Sequence, residues 1–246
     1  MDILGVKDSV VQSLRTQIII GDLAPGQKLN ETALSSVLGI SRPPLREAFR
    51  VLENEHLTHS IPRRGTYVSD LSVQDLREVF QARVMIECYA IDLLKAKKVC
   101  HLPDVESAMK LASMMSIPSH DDKEEMLRYL GAAVAYHQKL IESTGNQWVQ
   151  RFYNSIHSSL TRYEFIYTRL AGQPYRRRKE HLEILTLIKR GNYEKAKEFL
   201  RSHIHDVADI LERKIVRKSI PTAPALRMKT RLLPFHQVNR KGLLAE

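Results

Sequence analysis

The sequence is poor in the residues that mark most specialised chemistries. Its two cysteines, Cys88 and Cys100, form no CxxC pair. That argues against a thioredoxin-like site or a zinc knuckle and leaves two ordinary thiols of a reducing compartment. Apolar runs such as Ile18 to Ile20 are short, far below the roughly 20 residues that a membrane-spanning helix needs. Asp2, Lys7 and Asp8 interrupt the N-terminus early, so no basic-then-apolar signal pattern is read there and a cytoplasmic location is expected. There is no HExxH, no phosphate-cradling glycine loop and no nucleophile motif, so no enzyme is expected. Aromatic residues make up only 7%, and the helical part of the chain offers no stacking platform of the kind RNA readers use.

What the sequence does have is positive charge, formally +10 over 246 residues, which invites a nucleic-acid reading. The location of that charge limits the inference. From residue 213 to the end there are nine Lys/Arg and one acid, Glu246, whereas residues 1–75 carry eight Lys/Arg against nine Asp/Glu. The excess is therefore a basic tail. A DNA argument has to rest on where particular arginines sit. With 43% hydrophobic residues, the chain is ordinary for a globular protein and long enough for two domains.

Periodicity sets the organisation. Val6, Val10, Leu14 and Ile18 share one face of a helix over residues 6–20, closed by Gly21-Asp22 and a turn at Pro25-Gly26. A second helix starts at Asn30, a good N-cap, and runs to Gly39. Ser41 is expected to cap a third, with Leu45, Ala48, Phe49 and Leu52 on one face. Two short helices joined by Gly39-Ile40 have helix-turn-helix spacing. Strand-like runs at residues 57–60 and 66–68 flank Arg63-Arg64-Gly65 and read as a hairpin, or wing. From Val73 onward the pattern is helical, with spans expected to about 94, then at 103–116, 121–143, 147–170, 174–190 and 192–216. Breaks fall at Pro118-Ser119, Gly145-Asn146, Gly172-Gln173-Pro174 and Gly191-Asn192. The expected fold is mainly α: a winged helix-turn-helix over 5–70, an antiparallel all-α bundle over 73–216 and a basic, mobile tail over 217–246.

The order of these features resembles the GntR family of transcription regulators. The carrying segments are Ile20-Gly21-Asp22-Leu23-Ala24-Pro25-Gly26, the stretch from Leu38 through Ser41-Arg42-Pro43-Pro44-Leu45-Arg46-Glu47 to Phe49, and Arg64-Gly65-Thr66-Tyr67-Val68. Residues 73–215 resemble the helical FCD ligand-binding domain of the family's FadR-type branch. Their marks are Ala82-Arg83 with Ile86-Glu87, Tyr136-His137, Gly145-Asn146, Glu180-His181, Gly191-Asn192 and His203-Ile204. The resemblance implies a homodimer that binds double-stranded operator DNA, and a repressor under control of a small organic-acid effector is the expected function.

On the third helix Arg42, Arg46 and Arg50 recur every four residues, opposite the apolar face. Such a stripe can bind guanine edges or grip phosphates. Ser41 can reach a phosphate, Gly65 permits a tight turn and close approach to DNA, and Arg63 and Arg64 would meet phosphate or the minor groove. The resemblance implies DNA-binding roles for Arg42, Arg46, Arg50 and Gly65. Some family members add an arginine on the second helix where this chain has Ala33, so base preference there is not inherited.

In the helical part, His137, His181 and His203 each continue an apolar stripe on a different helix. Three inward imidazoles can meet and hold a divalent metal of the zinc or nickel class. The resemblance implies such a site, with an acidic residue or asparagine four residues before the first histidine. Ala133 occupies that place here and supplies no ligand. Two readings stay open: a three-histidine metal site with free positions for water or an effector carboxylate, or a metal-free pocket in which the imidazoles bond the effector directly. Arg83 lies on the inward stripe of its helix and must pair, either with Glu87 one turn later or with an effector carboxylate as the resemblance implies.

Overall fold

Val10, Leu14 and Ile18 lie buried along one side of α1 (Val6–Ile19). They meet Leu34 and Leu38 of α2 (Glu31–Leu38) and Leu45, Ala48, Phe49 and Leu52 of α3 (Arg42–Asn54) in a single apolar cluster. Each of these side chains except the small Ala48 stabilises the fold by about 1.5–3 kcal/mol through burial. The computed structural model describes residues 5–116, 118–119, 122–171 and 174–217. Two compact units part between Asp70 and Leu71. The expected basic tail from residue 218 on, and the Gly172-Gln173 turn, lie outside the described residues.

In the first unit Asn30 caps α2, its side chain accepting the Ala33 N–H at 3.0 Å. Gly39 ends the helix in the left-handed conformation at φ 66°, which a side chain would resist. Ser41 departs from expectation. It stands at the N-cap of α3 but makes no side-chain cap bond. A cap hydroxyl binds the N–H of the second or third helical residue. Here those residues are Pro43 and Pro44, which have none.

The wing is a three-stranded antiparallel sheet in the order β1-β3-β2, from β1 (Lys28–Leu29), β2 (Thr58–Ile61) and β3 (Gly65–Val68). The two-residue β1 was not expected. It pairs Lys28 with Tyr67 and Leu29 with Thr66. Gly65 opens β3 opposite Ile61 instead of lying between the strands.

The second unit is helical throughout: α4 (Val73–Ala96), α5 (Pro103–Met114), α6 (Lys123–Glu142), α7 (Gln147–Ala171), α8 (Pro174–Lys189) and α9 (Tyr193–Val216). These ends match the expected spans to within two residues. Ser72 caps α4 by accepting the Asp75 N–H at 3.0 Å. That long helix buries Leu76, Phe80, Ala90, Ile91 and Leu94 against α6, α7 and α9. Pairs at both ends show α9 antiparallel to α4: Arg77 with Glu212 at one end, Lys95 with Glu194 and Asp92 with Lys197 at the other. Exposed pairs of this kind contribute little energy; they report alignment. Among the described residues no helix is long and apolar enough to cross a membrane.

Candidate functional site

One candidate surface is the outer face of α3. Leu45, Ala48, Phe49 and Leu52 commit the other face to the core, so Arg42, Arg46 and Arg50, at the four-residue spacing, all stay exposed. Two of them are steadied by α2: Arg42 Nη2 donates to Thr32 Oγ1 at 3.2 Å, and Arg46 Nε to Glu31 Oε2 at 2.9 Å. Glu47, the carboxylate next to Arg46 in sequence, is not the partner observed. The wing is tied to the same helix, because Glu53 accepts from the Ser60 N–H at 2.8 Å and from the Ser60 hydroxyl at 3.2 Å. Ser41, Arg63 and Arg64 are exposed. Arg63 adopts φ 64° and Gly65 φ 107°. A Cβ at Gly65 would stand 3.3 Å from Lys28 Cε, the movable end of a side chain, so it is the backbone conformation that favours glycine there.

The second candidate site lies inside the helical bundle. His137 of α6, His181 of α8 and His203 of α9 are all buried, and their ligand-capable nitrogens lie within 4.8 Å of one another. Nε2 of His181 is 3.1 Å from Nε2 of His137 and 3.1 Å from Nε2 of His203. Nδ1 of His137 donates to Glu87 Oε2 at 2.7 Å, and Nδ1 of His203 to Glu180 Oε2 at 2.7 Å. Those bonds fix the tautomer, because a carboxylate only accepts. Both rings must therefore turn an Nε2 lone pair toward His181, which can bring at most one Nε2–H between them when neutral.

Burial lowers the proton affinity of all three rings. At His137 the positive Arg83 adds to the effect, at His181 the neighbouring imidazoles do, and at His203 the Glu180 bond opposes it. Neutral imidazole is the form that binds metal. Four-coordinate zinc at its usual bond length sets ligand nitrogens about 3.3 Å apart. The two 3.1 Å spacings and the carboxylates behind His137 and His203 thus suit a divalent cation. Tyr136 stacks on His181 with centroids 4.5 Å apart at 6° and helps hold that ring.

Arg83 is also buried. Its Nε donates to Glu87 Oε1 at 2.7 Å and its Nη1 to Glu164 Oε1 at 2.7 Å. Glu164 in turn takes Arg177 of α8, whose Nη2 is 2.9 Å from Oε1 and whose Nη1 bonds Oε2. The flanking arginines hold Glu164 well below the ordinary carboxylate range despite its burial. Arg83 is held well above the ordinary arginine range by Glu87 and Glu164, against the opposing pull of its burial. Arg83, one of whose two expected roles was to hold an effector carboxylate, is thus paired internally, with Glu87 as the alternative foresaw and with Glu164 as well.

A cleft of about 570 Å³, open mouth included, reaches His181, the one member of the triad in its walls. Ala133, Tyr136, Tyr167, Arg177, Arg178 and His181 are among its walls. Ala133 offers only a methyl group there. The Tyr136 hydroxyl and the Arg177 Nε are buried and have no hydrogen-bond partner among the described residues. Arg177 also lies over the Tyr167 ring at 5.1 Å and Arg178 over Tyr129 at 5.6 Å.

Sequence reasoning brought the three histidines to one place but missed Glu164, Arg177 and the orienting roles of Glu87 and Glu180. Glu164 shares the α7 stripe of Leu160 and Tyr167, a signal that was there to read. Arg177 sits in the run Arg176-Arg177-Arg178, which looks like a solvated face.

A helix-turn-helix with a sheet wing, followed by a separate helical unit, is the two-module arrangement of a DNA-binding transcription regulator. The family model for the bacterial regulatory proteins of the gntR family matches residues 6–68, and that for the FCD domain residues 78–206. The chain belongs to the GntR family and carries its FCD domain. It is 26% identical over 207 residues to the HTH-type transcriptional regulator BphR of Paraburkholderia xenovorans, covering 83% of this chain and 84% of that protein. It is 25% identical over 148 residues to the gluconate operon transcriptional repressor of Bacillus subtilis, covering 60% and 58%. A crystal structure of a GntR regulator from Rhodococcus sp. RHA1 shares the fold, with a TM-score of 0.66 at 22% identity over 83% of this chain and 96% of that one.

The depressed histidines predict a pH dependence. In the unfolded chain they titrate near 6.5; in the fold they stay neutral to lower pH. The unfolded state therefore binds more protons as pH falls through that value, and stability drops by up to about 1.4 kcal/mol per unit per histidine. Melting of chelator-treated protein between about pH 7 and about pH 5 should show a steeper loss for wild type than for His181→Gln. Equal slopes would show that the His181 ring is not held neutral.

Proposed function

We propose that this protein is a dimeric repressor whose operator affinity is set by a small carboxylate bound in the helical unit beside a divalent metal on His137, His181 and His203. The observation that carries the reading is the pairing of two built surfaces in one chain. One is an exposed arginine stripe on a helix whose other face is core, and the other is a buried histidine triad walled by arginines.

At the DNA, Arg42, Arg46 and Arg50 enter the major groove, the Ser41 hydroxyl, which makes no cap bond, bonds a phosphate, and Arg63, Arg64 and Gly65 bring the wing to the backbone or minor groove. Each of Arg42→Ala, Arg46→Ala and Arg50→Ala should weaken binding to a duplex selected from a random pool by about 1–3 kcal/mol. Titrations at several salt concentrations should also show a shallower salt slope wherever a phosphate contact is removed. Unchanged affinity and slope in the triple variant would refute this mode of recognition.

Dimerisation lets two heads read two half-sites. The surface available for it carries Met85 and Tyr89 on α4 and Trp148 and Phe152 on α7, large apolar side chains each more than half exposed. These helices pack on one another, and a second copy would cover both stripes. Sedimentation equilibrium should find wild type dimeric and Tyr89→Glu/Phe152→Glu monomeric. A double variant that stays fully dimeric places the interface elsewhere.

In the sensor, the three Nε2 atoms would hold the metal and Glu87 and Glu180 would orient two of them. When bound, the metal supplies a positive centre for a carboxylate oxygen. Arg177 and the Tyr136 hydroxyl bind the rest of the anion from the cleft. The organic-acid class also suits the gluconate operon named for one relative. A coupling of about 1–3 kcal/mol between this site and the heads would change operator affinity roughly 5–150-fold. Elemental analysis after dialysis against zinc or nickel should find one metal per chain in wild type and none in His137→Ala/His181→Ala. Equal content in the two would reject the site.

A further inference from the structure

An acid stands beside the arginine stripe of α3. Glu31 is the first residue of α2, fixed there by the Asn30 cap and by Leu29, which pairs with Thr66 of the wing. Its Oε2 accepts the Arg46 Nε–H at 2.9 Å, with the Arg46 side chain 61% exposed and that of Glu31 32%. An exposed pair of this kind adds little stability to the free protein, and a carboxylate near phosphates repels them. The dipole of α2 favours a negative charge in its first turn. That accounts for an acid at residue 31, but not for its bond to an arginine 15 residues on, on a different helix.

The three arginines of the stripe are left in different states. A guanidinium offers two forks, Nε with Nη2 along its side and Nη1 with Nη2 at its end. At Arg46 Glu31 takes the Nε hydrogen, which closes the side fork and leaves the end fork whole. At Arg42 Thr32 takes a hydrogen of Nη2, the nitrogen the two forks share, and a neutral hydroxyl holds it more weakly than a carboxylate would. Arg50 lies about 12 Å beyond Arg42 along the helix axis. Its guanidinium has no partner among the described residues, so its full charge is available to a phosphate. The charge of Arg46 is offset by Glu31, so that pair gains little from the DNA backbone. What Arg46 has left is a whole end fork, the shape that matches N7 and O6 of guanine.

We infer that Glu31 is the positioning residue that makes Arg46 the guanine reader of the head: it holds Nε so that Nη1 and Nη2 meet the base, and it cancels the charge that would draw the side chain to a phosphate. The inference rests on the α3 reading proposed above and divides the labour within it, Arg46 reading a base and Arg50 gripping the backbone. Glu31 weakens binding to DNA in general and sharpens selectivity. Its removal therefore acts in opposite directions on two duplexes. Freed of its tether, Arg46 swings to the backbone, so sequence-independent binding tightens while the preferred site loses its advantage.

The test starts from the duplex that full-length wild type selects from a random pool. Wild type, Glu31→Ala, Arg46→Ala and the double variant are titrated on that duplex, on versions with each base pair changed in turn, and on a scrambled duplex, all across a salt series. Wild type and Glu31→Ala should differ at a single G·C pair of the half-site, which wild type prefers by about fivefold or more and Glu31→Ala does not. Glu31→Ala should also bind the scrambled duplex more tightly than wild type, with a salt slope steeper by about one phosphate contact. In the Arg46→Ala background, Glu31→Ala should leave base preference unchanged. A Glu31→Ala whose base preferences match those of wild type would overturn the inference while leaving the arginine stripe standing. A shift in preference that persists when residue 46 is alanine would overturn it as well, because Glu31 would then act without Arg46. A wild type that prefers no sequence over the scrambled duplex would remove the α3 reading and the inference with it.

Discussion

Four ionised side chains in the middle of a helical bundle are a severe constraint, and the architecture of the second unit answers to it. Arg83, Glu87, Glu164 and Arg177 come from α4, α7 and α8 and are buried together. Removing one partner from such a group costs about 3–5 kcal/mol because a charge is left uncompensated. The helices therefore have to hold their relative rotation and height for the pairs to form. His137 inherits that precision, since Glu87 serves Arg83 with one oxygen and the imidazole with the other. The direction in which the Nε2 lone pair points is thus a by-product of an ion pair.

The same economy of contacts runs through the first unit. Glu53 holds the wing at Ser60, and Glu31 and Thr32 steady the arginines from the preceding helix. Arg15 bonds Glu55 through Nε at 2.7 Å and Nη2 at 2.5 Å, joining α1 to the end of α3. Apolar burial fixes which face of α3 is available, and these polar ties limit how far its surroundings can drift.

Much of this was legible in the sequence because it is periodic. Helical stripes gave the spans of α4 to α9, and the left-handed Gly39 marked the turn between α2 and α3. The inward placement of His137, His181 and His203 followed from the apolar residues around them. What periodicity cannot carry is pairing across helices. Nothing local announces that Glu164 will meet Arg83 and Arg177, or that Glu180 will orient a histidine 23 residues on. The Ser41 cap was misjudged for a related reason: the residue type suits a cap, but the partner amides are missing in Pro43 and Pro44. A two-residue strand such as β1 is too short for any alternation to be seen. It exists because β3 offers an edge for it.

The paired prolines at the head of α3 have a consequence of their own. Their rings restrict the chain before folding as well as after it, so the helix has a defined first turn and little freedom to fray or slip in phase. Each later side chain on that helix then projects at a preset angle. On the proposed reading, base preference in such a head is open to rewriting by exchanging guanidiniums for other side chains, without redesigning the backbone that presents them.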